Sequence, residues 1–241
     1  MNNKGVGLVE ILISLTLSCF IIILLQRHYL SVRQQYIYIK SALERNMEVK
    51  LASLLLRKSI REAGFTPCLG VENLSTIDDR NHKSLRALNI TDSSNSVLQL
   101  NRMTTNFDMV KDIKSPETLL TTANNILNSN NILIISDCYH AEVKSILAAK
   151  HIGNMQLLTL TTPLNFIYKD PIYIGEWIEE KFYTLNQKSL YYDVNHAEEL
   201  TDVVKKLNAK ITTQNGRKLL SVVLKLDNDK SLTIDTMVRT P

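Results

Sequence analysis

Glu10 is the only charge in a 20-residue apolar run from Val6 to Leu25. An ionised carboxylate at the centre of a membrane helix costs about 2.5–3.5 kcal/mol, and somewhat less near an end, so such a group calls for a partner within the membrane. Gly5, directly ahead of the run, offers a processing site: cutting after it leaves Val6 as the N-terminus and Glu10 as the fifth residue. A signal cleaved on the far side would need a small-x-small site, and Leu24-Leu25-Gln26-Arg27-His28-Tyr29 supplies none. The apolar segment is therefore expected to stay attached.

The remaining reactive side chains are few. Cys19 falls in the apolar run, where a thiol behaves as a small hydrophobe, whereas Cys68 and Cys138 both lie in the soluble part. Those two are a natural pair for a disulfide, which would mark an oxidising compartment, or else two buried free thiols. Cys138 and His140 share a short segment but lack the second closely spaced ligand pair of a structural zinc site, so no metal is assigned. His28, His82, His140, His151 and His196 are scattered outside any nucleophile, zinc or phosphate motif. The acidic pairs Asp78-Asp79 and Glu179-Glu180 read as solvated surface charges, since neighbours on a strand point to opposite faces. Trp177, Phe182, Tyr183, Tyr191 and Tyr192 read as core and cross-strand packing rather than a ligand groove. No catalytic residue and no cofactor are proposed, and the chain is not read as an enzyme.

The elements that carry these residues follow from hydrophobic period. At about 1.5 Å per residue, the apolar run is about 30 Å long as a helix, the thickness of a bilayer's hydrocarbon. The helical pattern continues beyond it. Val32, Tyr36, Ile39, Leu43, Met47, Leu51 and Leu54 recur at spacings of three and four, and no Pro or Gly interrupts residues 8–63. The spacing predicts one helix from Val6 to Ala63 with Gly64 as its stop, its second half packing this stripe on a sheet rather than in a coiled coil. From Ser96 the period changes to two. Segments 96–100, 132–135, 157–161, 172–185, 190–194, 206–212 and 219–226 are predicted antiparallel strands, followed by a last one ending near Arg239. Asn186-Gln187-Lys188 and Leu226-Asp227-Asn228-Asp229-Lys230-Ser231-Leu232 are predicted hairpin turns. Residues 71–95 and 101–131, rich in Asn, Ser, Thr and Asp, are expected to be long surface excursions with short helices.

About 215 residues follow the span, enough for one sizeable domain. The formal charge of +4 falls to +3 without Lys4, and no basic patch argues for nucleic acid.

The segment KGVGLVEILISL resembles the class III signal of type IV prepilins and type II secretion pseudopilins, with a short basic leader, a Gly at the cleavage point and a Glu five residues into the mature chain. The resemblance implies cleavage between Gly5 and Val6 by a prepilin peptidase and N-methylation of Val6. It also implies that Glu10 pairs with the terminal amine of a neighbouring subunit and so sets assembly register. The family's usual first mature residue is Phe; here it is Val6. Further along, IREAGFTPCLG, ILIISDC, WIEEKFYTLNQKSLYYD and SVVLKLDNDKSLTIDTMVRTP are similar, in that order, to PilW-type minor type IV pilins. That family usually has a cysteine after the long helix and another after a central strand, which implies a Cys68–Cys138 disulfide.

The implied fold is α+β and type IV pilin-like, a long N-terminal helix packed on an antiparallel sheet. Its parts would be a leader (1–5), a transmembrane half-helix (6–26), an amphipathic half-helix (27–63) and a periplasmic β-rich domain (64–241). The implied setting is the bacterial inner membrane, crossed once, and then a pilus. The implied partners are the peptidase, other minor pilins, the major pilin and the inner-membrane assembly platform. J-type pseudopilins of type II secretion share the fold and the Leu-Tyr hairpin and are the nearest alternative. A membrane-tethered periplasmic binding domain that never polymerises is the second.

Overall fold

A helix of this length needs no breaker for its first 55 residues, and the structure has none. The structure, a computed structural model, describes residues 7–91, 97–124, 127–129, 131–214 and 217–238. Helix α1 runs Leu8–Glu62. Fourteen strands follow: β1 (Ser75–Asp78), β2 (Leu88–Thr91), β3 (Val97–Met103), β4 (Asp108–Ser115), β5 (Thr118–Thr122), β6 (Ile132–Ser136), β7 (His140–Ile152), β8 (Met155–Leu160), β9 (Tyr173–Leu185), β10 (Ser189–Asp193), β11 (Ala197–Thr201), β12 (Val204–Gln214), β13 (Arg217–Leu226) and β14 (Ser231–Met237). The fold is α+β. Contacts divide the chain into two units, residues 1–48 and 49–241.

The first unit is helical from Leu8 onward. α1 is the one described helix long and apolar enough to cross a membrane. Its apolar side chains from Leu8 to Leu25 are exposed. Two hydroxyls within that run bond to the helix itself: Thr16 Oγ1 donates to Ile13 O at 2.9 Å and Ser18 Oγ to Ser14 O at 2.8 Å. The helical backbone and these two hydroxyls are thus internally bonded, as hydrocarbon requires.

In the second unit the helix end is a core element. Ala52, Leu56, Ile60 and Ala63 pack among Leu98 and Leu100 of β3, Phe182 of β9, Leu207 of β12, Val222 and Leu224 of β13, and Ile234 of β14. Two sheets supply that cover. The larger runs β1-β7-β8-β5-β4-β9-β10-β11, with β3 and β6 also paired to β9 and β2 to β3; the smaller is β12-β13-β14. Within this unit, the part of the stripe predicted to pack on the sheet does not: Leu51 and Leu54 are more than half exposed. Close approach to two sheets selects the face with small residues, Ala52, Ser59 and Ala63, over the bulkier one.

The helix stops at Gly64, whose φ of +73° is left-handed, where a side chain is strained. Its N–H donates to Asn101 O at 2.7 Å, and a Cβ there would lie 2.7 Å from the Cβ of Ala87.

The predicted excursions are strands instead. Residues 71–95 and 101–131 hold β1, β2, β4, β5 and the end of β3, and the sole short helix described there is a 3₁₀ turn, Val71–Asn73. Asp-Met-Val-Lys-Asp-Ile and Thr-Leu-Leu-Thr-Thr keep a period of two, but their alternate positions are polar because one face is solvated. β7, not predicted, carries the Ala, Lys and Glu of a helix former and is a strand because both sides pair. Antiparallel pairing holds except for β1 with β7, which is parallel. The three-residue β9–β10 turn, 186–188, places Asn186 and Gln187 in the left-handed region at φ 52° and 54°.

Candidate functional site

Residues Gly5 and Val6, the predicted cleavage pair, lie outside the described residues. Glu10 is described. It is exposed in the first turn of α1, and Gly7 N–H donates to its Oε2 at 3.2 Å. That is half of a capping box, in which a carboxylate at the third helical position accepts from the N–H at the helix start. The positive end of the helix dipole favours the same charge. Among the described residues Glu10 makes no ion pair, so the helix end supplies dipoles but no counter-charge.

Cys68 and Cys138 are joined by a disulfide, with Cα atoms 5.3 Å apart and a sequence separation of 70. The bond ties the loop after α1 to the β6–β7 turn. Cys138 is therefore no metal ligand, and His140 stacks on Phe166 with ring centroids 4.8 Å apart. The turn has its own anchor in Asp137, a buried side chain accepting from Tyr139 N–H at 2.7 Å, His140 N–H at 2.5 Å and Lys169 N–H at 2.9 Å. Burial raises the pKa of this carboxyl, but the backbone donors outweigh burial and hold it below the usual carboxylate range. Cys19 is free.

The acidic pairs read as surface charges are mostly buried and bonded. Asp78, on β1, accepts from Arg80 Nε at 2.9 Å and Nη2 at 2.7 Å. Arg80 also pairs with Glu179, which accepts from Trp177 Nε1 at 3.1 Å. On the opposite face of β9, Glu180 is 2% exposed and accepts from Arg102 Nη2 at 2.8 Å. Arg102 Nη1 lies 3.3 Å from Glu62 of α1, so one guanidinium fastens the helix end to the sheet. Burial and the nearby Glu180 charge push Tyr192 up to about 12. Adjacent acids do face opposite ways, as strand geometry requires, but each face has cations waiting. The signal that sequence lacks is the distant partner: Arg102 is 78 residues from Glu180.

The aromatic set packs as predicted. Phe182 meets Tyr192 with centroids 4.9 Å apart on the core face, and Tyr183 stacks on Tyr191 at 5.7 Å on the other, each pair directly cross-strand. Trp177 is buried beside a polar cleft of about 690 Å³ lined by Asp78, Arg80, Arg86, Gln99, Asn101 and Glu179 among others. Among the described residues no three His, Cys, Asp or Glu side chains converge as a metal site.

Compared with protein-family models, curated proteins and solved structures, the chain shows no match to any of them.

Proposed function

We propose that this chain is the precursor of a minor type IV pilin, processed between Gly5 and Val6 and then incorporated into, or priming, a pilus near its tip. The observation that carries the reading is Glu10: a lone carboxylate near the start of a membrane-length helix whose apolar surface is otherwise unbroken and uncovered. In a bilayer such a group is tolerated when a cation joins it, and a new α-amine four residues upstream, on this chain or a neighbour's, is the nearest candidate that processing would create. The amine of one subunit meeting the carboxylate of the next would fix their axial register. The single-pass helix followed by a disulfide-bonded β domain supports export of residues 64–241 to an oxidising compartment. Partners under this reading are the prepilin peptidase, other minor pilins, the major pilin and the inner-membrane assembly platform.

The test is the N-terminal sequence and intact mass of protein extracted from membranes of its own host, with and without prepilin peptidase. A chain beginning at Val6 in the parent and at Met1 in the peptidase-deficient strain supports the reading. A start at Met1 in both overturns it in favour of a tethered domain. Glu10→Ala should abolish co-purification with pilus subunits, whereas a tethered domain would be indifferent to it.

A further inference from the structure

Lys144, on β7, is among the largest fully buried side chains of the described residues. A buried ammonium needs partners, and this one has an unusual set. Its Nζ lies 3.2 Å from Asp79 Oδ1 and 3.3 Å from Glu142 Oε2, and it donates to Pro163 O at 2.7 Å and Thr162 Oγ1 at 3.2 Å. The carboxamide of Asn165 reaches the same two acidic oxygens: Nδ2 donates to Glu142 Oε2 at 2.9 Å and to Asp79 Oδ1 at 3.4 Å. That amide orientation is fixed by chemistry, since the reverse would aim a carbonyl at two carboxylates. An amine and a carboxamide thus converge on one pair of carboxylates.

Each member is held in place. Glu142, wholly buried, accepts from Tyr168 OH at 2.8 Å through its other oxygen and from the Asn165 backbone N–H at 3.0 Å. β1 sets Asp79 beside β7, where its N–H donates to Val143 O at 3.2 Å. Burial raises the pKa of Asp79, but hydrogen bonds from Thr162, Asn165 and Lys144 outweigh it and hold the group ionised. An ionised carboxylate is a poor acyl acceptor, which leaves the Asn165 amide as the electrophile.

We propose that Lys144 and Asn165 form an intramolecular isopeptide bond, with Glu142 as the proton relay. Glu142 Oε2 takes a proton from the Lys144 ammonium, and the neutral amine attacks Cγ of Asn165. The C–Nδ2 bond breaks as the same oxygen returns a proton to the departing nitrogen, and the second proton of the attacking nitrogen follows by the same oxygen, so that an uncharged amide stays and ammonium leaves. One ammonium and one carboxamide become one secondary amide and one ammonium ion; no oxidant, metal or nucleotide enters. Holding amine and amide on the same two carboxylate oxygens supplies the proximity that makes such a reaction intramolecular. Asn165 itself is exposed, so the released ammonia has an exit. The bond would staple β7 to the segment joining β8 and β9. The inference does not rest on the pilin reading.

The experiment is the intact mass of the full chain purified from its own host, followed by tryptic mapping under reducing conditions. The expected mass is lower than that of the sequence by one ammonia, after allowing for processing and the disulfide. The peptides bearing Lys144 and Asn165 should travel as one branched species resistant to trypsin at Lys144. Glu142→Gln and Lys144→Met should restore the missing mass. A parent chain with no such loss, or with the ammonia lost at another residue, overturns the proposal. That readout needs no variant, so misfolding of Glu142→Gln would not protect the idea.

Discussion

Replacing both Cys68 and Cys138 by Ala isolates the contribution of one covalent link. The bond closes a loop of 70 residues. The chain-entropy relation gives about 4 kcal/mol of stabilisation for a loop of that length. Native geometry should survive the change, because Asp137 holds the β6–β7 turn through three backbone N–H groups that do not depend on sulfur. The effect therefore acts mainly on the unfolded chain. An unfolding entropy of about 2.1 cal/mol/K per residue, over the roughly 190 residues of the second unit, turns 4 kcal/mol into a fall in Tm of about 10 °C. The assay is thermal unfolding of the full chain in detergent, followed by circular dichroism at a β-sheet wavelength. Reduced parent protein serves as a second route to the same state. A fall of less than about 3 °C by both routes would refute the loop-closure argument.

Arg102→Met removes the cation shared by Glu62 and the buried Glu180, and should destabilise the fold by about 3–5 kcal/mol in urea titration. The double variant Arg102→Met/Glu180→Met should recover most of that loss. Gly64→Ala forces a side chain onto a left-handed residue and against Ala87, and should lower stability by about 2–4 kcal/mol by the same measurement. Asp79 and Asp137 have folded-state pKa values below those of the unfolded chain, so their stabilisation is full above about pH 4 and drains away as pH falls through the lower folded values. The urea midpoint should therefore drop on acidification below about pH 4, and Asp137→Asn should flatten that drop.

What the sequence made legible was local. The apolar run, the stop at Gly64, the Asn186-Gln187 hairpin and the cross-strand tyrosines each rest on a few adjacent residues whose chemistry has one structural outcome. β4 and β5 were hidden because a strand solvated on one face spends half its positions on polar residues, which is how a loop is composed too. The buried face of α1 was misread because spacing alone cannot tell which of two apolar stripes meets a sheet. That choice is made by strands β12–β14, more than 140 residues downstream. Glu142 and Lys144 carried a weaker hint. Two charges at alternate positions of an otherwise apolar strand must either face water or face each other's partners, and only the fold reveals Asp79 and Asn165 alongside.

The cover that β12, β13 and β14 place over the end of α1 has a consequence for the order of synthesis. Leu56 and Ile60 leave the ribosome first, yet Leu224, Ile234 and Val238, which enclose them, follow more than 160 residues later. Until those residues have been made, the helix face has no lasting shelter and the unit must wait open. A premature stop that removes only β14 would thus strip the wall from the first-made part of the core. Quality control that destroys such open chains would proofread for the presence of β12–β14, with the helix itself as the gauge.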